Sequence, residues 1–359
     1  MHPLQKLLGS LACCVLALAS TVALADDALA LRTAIAAERA REPAPRLPRD
    51  AFLAPPLYPA VRLSPDGRHV AFLRARGEQR SLWLLPAAGG PARQLLPRTE
   101  ATDIAWSRDG RWLFVEAPRS LATVDIDGHA GIRIPLRGTD RRVPLLVDPS
   151  QPAAMVLREY QRMGQDDGWR LVRIDVKGRR TPLHAGRPWI ADAAIDARGR
   201  VAALVRFEHD HDVLYRVGVA GKLQEAARWD QMHRASLLAA LPDGSLLLRG
   251  NLAGNFAGVL RLDPRNELHV LHEDPRGEAD LDEVALDPAT QLPAVASYRS
   301  TSAASYGLGN ARAHVDALRR RFAGRDIDVA VGSGAGAWWL VSERDSTLRE
   351  PRWYLYDPR

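Results

Sequence analysis

The chain has 359 residues, 49 Lys and Arg against 43 Asp and Glu, and a formal net charge of +6. Apart from short clusters such as Arg319-Arg320-Arg321, the arginines stand singly among acids, which excludes the clustered basic face that nucleic-acid recognition needs. Both cysteines, Cys13 and Cys14, fall within the first 25 residues. The remainder has no disulfide and must be held by its core, which a chain of this size supplies by burying roughly 75% of its unfolded surface.

Lys6, the apolar run from Leu7 to Leu18 and the A-x-A site Ala23-Leu24-Ala25 predict a secretory signal peptide over residues 1–25 and a periplasmic or secreted product. Ser10 stands where a lipidated Cys13 calls for Leu, and Cys14 follows where Gly or Ala is usual, which argues against a lipid anchor. No later apolar run is long enough for a membrane helix. Residues 26–50 read as an amphipathic stretch, Leu29 to Arg41, and a Pro-rich tether.

From Ala51 onward the chain repeats itself. V-R-L-S-P-D-G-R-H-V-A-F-L around Asp66 and I-A-W-S-R-D-G-R-W-L-F-V around Asp109 are the plainest copies. Weaker ones centre on Asp148, Asp196, Asp243 and Asp287, and a last one on Ser333, at spacings of 39 to 48 residues. In each unit a strand enters a turn of Pro, Asp and Gly, and an apolar strand such as V-A-F-L returns. A third strand follows, and a shorter polar one closes most units, as in A-R-Q-L-L-P at 92–97. Middle strands that are apolar on both faces are sandwiched between neighbours. The pattern predicts an all-β fold: a seven-bladed β-propeller of four-stranded antiparallel blades over residues 51–359. One helix, Ala311 to Phe322, is expected between the sixth and seventh units. Aligned with the first unit, the seventh ends after its third strand, so the last blade should lack its outer strand. Residues 352–356, with Trp353, Tyr354 and Tyr356, should then form a sheet edge.

F-L-A-P-P-L-Y-P-A-V-R-L-S-P-D-G-R-H-V-A-F-L (52–73), G-W-R-L-V-R-I-D-V (168–176) and R-W-Y-L-Y-D-P (352–358) resemble the N-terminal propeller of prolyl oligopeptidase-family serine peptidases, in the acylaminoacyl-peptidase and dipeptidyl-peptidase-like bacterial branch. S-P-D-G by itself also occurs in other periplasmic propellers. The resemblance implies a propeller that restricts access to short peptides through its central tunnel and serves a following α/β-hydrolase domain, which carries the catalytic triad. That domain is not in this sequence, so a truncated, non-catalytic propeller is expected, with no catalytic, cofactor or metal residues of its own. The alternative is a free-standing periplasmic propeller that binds a protein or peptide partner. A propeller lyase or glycosidase would need paired carboxylates or a His–metal cluster converging on the tunnel.

Gly332-Ser333-Gly334-Ala335-Gly336 is the nearest string to a nucleophile elbow, but its serine is displaced and a strand, W-W-L-V, follows where a helix should begin. Glu208-His209-Asp210-His211-Asp212 is rich in ligand atoms yet supplies no complete zinc set, and reads as a solvated turn. Asp125-Ile126-Asp127-Gly128 opens like a calcium loop without its distant Glu. Arg158, Glu159 and Tyr160, with Arg162, follow an inner strand and could face the tunnel, as could Arg299. There, charged side chains would grip peptide termini.

Overall fold

A computed structural model describes residues 28–42, 46, 55–137, 141–161, 168–345, 348 and 350–359. The expected signal peptide, and Arg162, lie outside the described residues. The chain divides into a unit up to Ala54 and a unit from Pro55 to Arg359. The first contributes α1 (28–40), whose described residues are all exposed, where an amphipathic stretch was expected. No described helix is long and apolar enough to cross a membrane.

The second unit is seven antiparallel sheets in chain order. Blade one contains β1 (Ala60–Leu63), β2 (His69–Arg76), β3 (Gln79–Pro86) and β4 (Arg93–Thr99). Blade two contains β5 (Asp103–Trp106), β6 (Trp112–Ala117), β7 (Ser120–Asp125) and β8 (Ala130–Pro135). Blade three contains β9 (Arg141–Val147), β10 (Ala154–Gln161), β11 (Gly168–Asp175) and β12 (Arg180–Gly186). Blade four contains β13 (Ile190–Ile195), β14 (Val201–Glu208), β15 (His211–Val217) and β16 (Leu223–Trp229). Blade five contains β17 (Ala235–Ala240), β18 (Leu246–Gly250), β19 (Gly258–Leu262) and β20 (Leu268–His272). Blade six has three strands, β21 (Leu281–Leu286), β22 (Pro293–Arg299) and β23 (Ala303–Gly307), followed by α2 (Arg312–Arg321). Blade seven also has three, β24 (Asp326–Ala330), β25 (Trp339–Arg344) and β26 (Arg352–Tyr356).

The three-stranded last blade is as expected, and among the described residues β26 pairs with β25 alone. The sixth blade departs from the four-strand pattern. Ala311, Val315 and Leu318 fall on one stripe of the helix and are buried with Val295, Val329 and Val341 of blades six and seven. That stripe buries apolar area where an outer strand would otherwise lie.

Alternation along the middle strands explains why they are apolar throughout. Leu113 and Val115 of β6 pack back on Leu73 and Leu82 of blade one, while Phe114 between them packs forward on Leu157 and Ile174 of blade three. Each side chain buried this way contributes about 1.5–3 kcal/mol. No buried aliphatic cluster among the described residues spans blades seven and one. That joint is made by Tyr58 edge-on to Trp353, ring centroids 5.7 Å apart, by the Leu57 N–H on Glu350, and by backbone.

The repeated turn is what closes the ring. Ser64 Oγ donates to Asp66 Oδ1 at 2.5 Å and accepts from the His69 N–H at 2.9 Å, and Gly67 takes φ +67°. Ser107 and Asp109 repeat this at 2.6 Å, with Gly110 also at φ +67°. The turns then bond to one another. Asp109 N–H reaches Pro152 O, and Ser333 N–H reaches Pro65 O. A Cβ on Gly67 would meet Trp338 backbone atoms at 2.6 Å. Only glycine allows this approach.

Candidate binding face at the mouth of the central channel

At the other end of the ring, the starts of the first strands meet the ends of the second. Asp103 lies opposite Glu116, Ile190 opposite Arg206, and Asp326 opposite Arg344. Arginines tie three of the blades to the next. Arg62 reaches Asp103 at 2.9 Å, and Arg158 donates to Ile190 O at 2.7 Å and Ala191 O at 3.0 Å. Arg299 reaches Asp326 at 2.9 Å. These contacts place charged side chains at that end of blades one, two, three, six and seven.

Below that rim, the first strands of blades three, four and five enclose a cavity of about 110 Å³, with Leu146, Ala194, Leu238 and Asp192 among its walls. This is narrow beside the roughly 300–1,000 Å³ typical of ligand pockets. Asp192 accepts from the Ala193 N–H at 2.8 Å and, across the blade boundary, from the Leu237 N–H at 2.7 Å. Burial pushes its carboxyl up to about 6, against the pull of those two N–H groups and of Arg158. A carboxyl in that condition can accept or release a proton near neutral pH.

Of the residues singled out in the sequence, Arg158 comes nearest this wall. Its guanidinium stacks 3.9 Å from the Trp189 ring centroid, and burial lowers its pKa. Glu159 turns away and is enclosed within blade three, bonded to Arg142 at 3.1 Å and Arg180 at 2.5 Å. Tyr160 packs on Trp169, centroids 5.1 Å apart. Arg299 belongs to a second cluster between blades six and seven, with Asp282 at 2.7 Å, Asp326 at 2.9 Å and Asp328 at 3.9 Å. Asp328 is 6% exposed, and neither of its oxygens has a hydrogen-bond partner. Burial and then Glu283 push it up to about 6, against Arg344 and Arg299. Asp192 and Asp328 were not singled out in the sequence. The available signal was an acid inside an otherwise apolar first strand, as in I-A-D-A-A-I and D-I-D-V-A.

The other candidates resolve into turns. Ser333 Oγ donates to Asp287 Oδ2 at 3.0 Å and precedes β25, so it lacks the strand–helix context of an elbow. His209 and Asp210, at φ 48° and 66°, form the two-residue turn between β14 and β15. Asp125 Oδ1 accepts the N–H groups of Asp127 and His129. Asp125, Asp127 and His129 nevertheless lie close enough to share an ion, as do Asp263, Glu267 and His269. In both groups two of the three residues are exposed.

No family model and no curated protein matches the chain. Among solved structures, an oligogalacturonate lyase in complex with manganese aligns at 14% identity and TM-score 0.53, over 82% of this chain and 87% of that one. An acylaminoacyl peptidase of Pyrococcus horikoshii aligns at 12% identity and TM-score 0.49, over 80% of this chain and 50% of that one. Dipeptidyl peptidase 4 of Porphyromonas gingivalis aligns at 8% identity and TM-score 0.39, over 79% and 56%. The chain thus spans about half the length of the acylaminoacyl peptidases it matches. At 14% identity what is shared with the lyase structure is the fold alone, and this chain is a seven-bladed propeller.

Proposed function

We infer that this chain is a non-catalytic propeller that selects short peptides at its channel mouth, in the service of a prolyl oligopeptidase-type hydrolase domain outside this sequence. Export to the periplasm, as residues 1–25 suggest, belongs to the same reading. The observation that carries it is the charged groups at the starts of the first strands, Arg62 with Asp103 and Arg299 with Asp326, above a narrow cavity with Asp192 set on its wall. A rim of fixed charge sorts peptide termini, and a constriction of this size excludes folded chains. In this reading Asp192 receives the ammonium end of the peptide, and Arg158 holds the strand that carries Asp192 by its two carbonyl bonds.

The test is calorimetric titration of the full chain with a short peptide bearing free termini and with its acetylated, amidated counterpart. Binding of the free form should exceed the capped form, and Asp192→Asn should weaken it roughly tenfold. The chain alone should leave acylaminoacyl and peptidyl reporter substrates intact. Turnover of a reporter by the purified chain would overturn the reading. A free-standing protein binder is the second reading, favoured by the closure of blade seven onto blade one through the chain's own Pro65, Gly67 and Trp338. Equal, negligible heats for both peptides would leave that reading standing instead.

A further inference from the structure

The cluster between blades six and seven holds more acid than its arginines cover. Asp282 and Glu283 stand near the start of β21, the first strand of blade six, and Asp326 and Asp328 stand on β24, the first strand of blade seven. Two guanidinium groups face these four carboxyl groups. Arg299, from the end of β22, is committed to Asp282 at 2.7 Å and Asp326 at 2.9 Å. Arg344, from the end of β25, lies 3.6 Å from Glu283 and 3.4 Å from Asp328. Four carboxylates against two guanidinium groups leave two negative charges in excess.

The four acids are graded in depth. Side-chain exposure falls from 52% at Glu283 and 34% at Asp282 to 18% at Asp326 and 7% at Asp328. Asp328, the innermost, accepts no hydrogen bond at either oxygen. Buried polar groups are hydrogen-bonded as a rule, and an acid buried without partners among other charges marks a place where a ligand completes the set. Arg299 Nη2 comes no nearer to it than 3.9 Å and is held elsewhere. Arg344 is 47% exposed and meets both of its acids at 3.4 Å or more. A half-exposed guanidinium at such distances is displaced at little cost.

The partner that Asp328 lacks must be cationic and must pass Glu283 to reach it. A metal ion needs several ligand atoms close together. Among the described residues the groups that meet this condition lie elsewhere, at Asp125 and at Asp263. A primary ammonium asks for less. It carries three donors on one nitrogen, at the end of a slender four-carbon stem. We propose that the cluster between blades six and seven binds a lysine side chain of a peptide ligand, with the ammonium on Asp328 and Glu283 at the entrance. The inference rests on the reading of the channel mouth as a peptide-selecting face, and it gives that face a substrate class: short peptides that contain lysine. The peptide's own terminus stays with Asp192, on the wall shared by blades three, four and five.

The experiment titrates the full chain by calorimetry with acetylated, amidated Ala-Lys-Ala and with the same peptide carrying norleucine in place of lysine. The lysine peptide should bind roughly tenfold tighter, since norleucine keeps the stem and lacks the charge. Asp328→Asn, which keeps the shape of the side chain, should abolish that preference, and Glu283→Gln should reduce it. The preference should also fade as pH falls through about 6, where burial and then Glu283 make Asp328 take up a proton against the pull of Arg344 and Arg299. Equal binding of the two peptides, or a lysine preference that survives Asp328→Asn, would overturn the proposal. Calcium that binds the peptide-free chain and loses its heat in Asp328→Asn would overturn it in favour of a metal ion. Trialanine with free termini is titrated alongside its capped form. If the free form binds more tightly and lysine confers nothing, the reading of the Asp192 wall stands and this inference alone falls. The converse result removes the terminus role of Asp192 and keeps the lysine site.

Discussion

Asp328→Asn should stabilise this propeller near neutral pH. Asp328 stands on the first strand of blade seven, buried, with no hydrogen bond to either oxygen. Arg344 Nε is 3.4 Å away and Arg299 Nη2 3.9 Å, distances that offset its burial only in part. Its carboxyl sits at about 6 in the fold against an ordinary 3.8. The folded chain therefore binds this proton more tightly than the unfolded chain, and stability falls as pH rises from about 4 through about 6. At 1.36 kcal/mol per pH unit, the full interval corresponds to about 3 kcal/mol. Local relaxation reduces that, so a gain of about 1–3 kcal/mol is expected for the variant at about pH 7.5. The substitution strands no cation, because Arg299 keeps Asp282 and Asp326, and Arg344 keeps Glu283 at 3.6 Å. Urea unfolding of both proteins at about pH 7.5 and about pH 5 is the assay, and the gap should shrink by about half at the lower pH, where Asp328 is protonated in the fold but still ionised in the unfolded chain. A variant less stable than the parent at neutral pH, or a gap that does not change with pH, would refute the argument.

Glu159→Gln should cost about 2 kcal/mol in the same assay, since it leaves Arg142 and Arg180 around an uncharged group in a site where the carboxylate is 7% exposed. Gly67→Ala should cost roughly 3 kcal/mol or more, because a Cβ there meets Trp338 backbone at 2.6 Å where blade seven joins blade one. Gly77→Ala, at φ +60° with nothing within 4 Å, should cost only about 1 kcal/mol, so thermal melting of the pair separates clash from backbone strain. Zinc titrated into the chain and into His209→Ala/His211→Ala should give equal heats, because His209 turns its carbonyl to His211 Nδ1 at 2.9 Å within an exposed hairpin turn. A larger heat for the parent chain would restore a metal role to that turn.

The blades were legible because their strands are joined by local turns, and each turn writes its chemistry in adjacent residues. Ser64, Asp66 and Gly67 make their bonds within a few positions of one another, and strand alternation has a fixed period of two. The missing outer strand of blade seven could be read by laying one unit on another. The missing strand of blade six could not, because α2 replaces it through burial of Val315 and Leu318 against strands from two different blades. The channel mouth was less legible still. Arg158 and Arg299 were visible as charges after inner strands, but their partners Ile190, Ala191, Asp282 and Asp326 stand 17 to 33 residues away along the chain. Asp192 meets Leu237 at a separation of 45 residues. Sequence therefore determined the repeat, the turns and the number of blades. Which acids are buried and which arginine holds which blade were decided by ring closure, which brings the same end of every blade to one mouth.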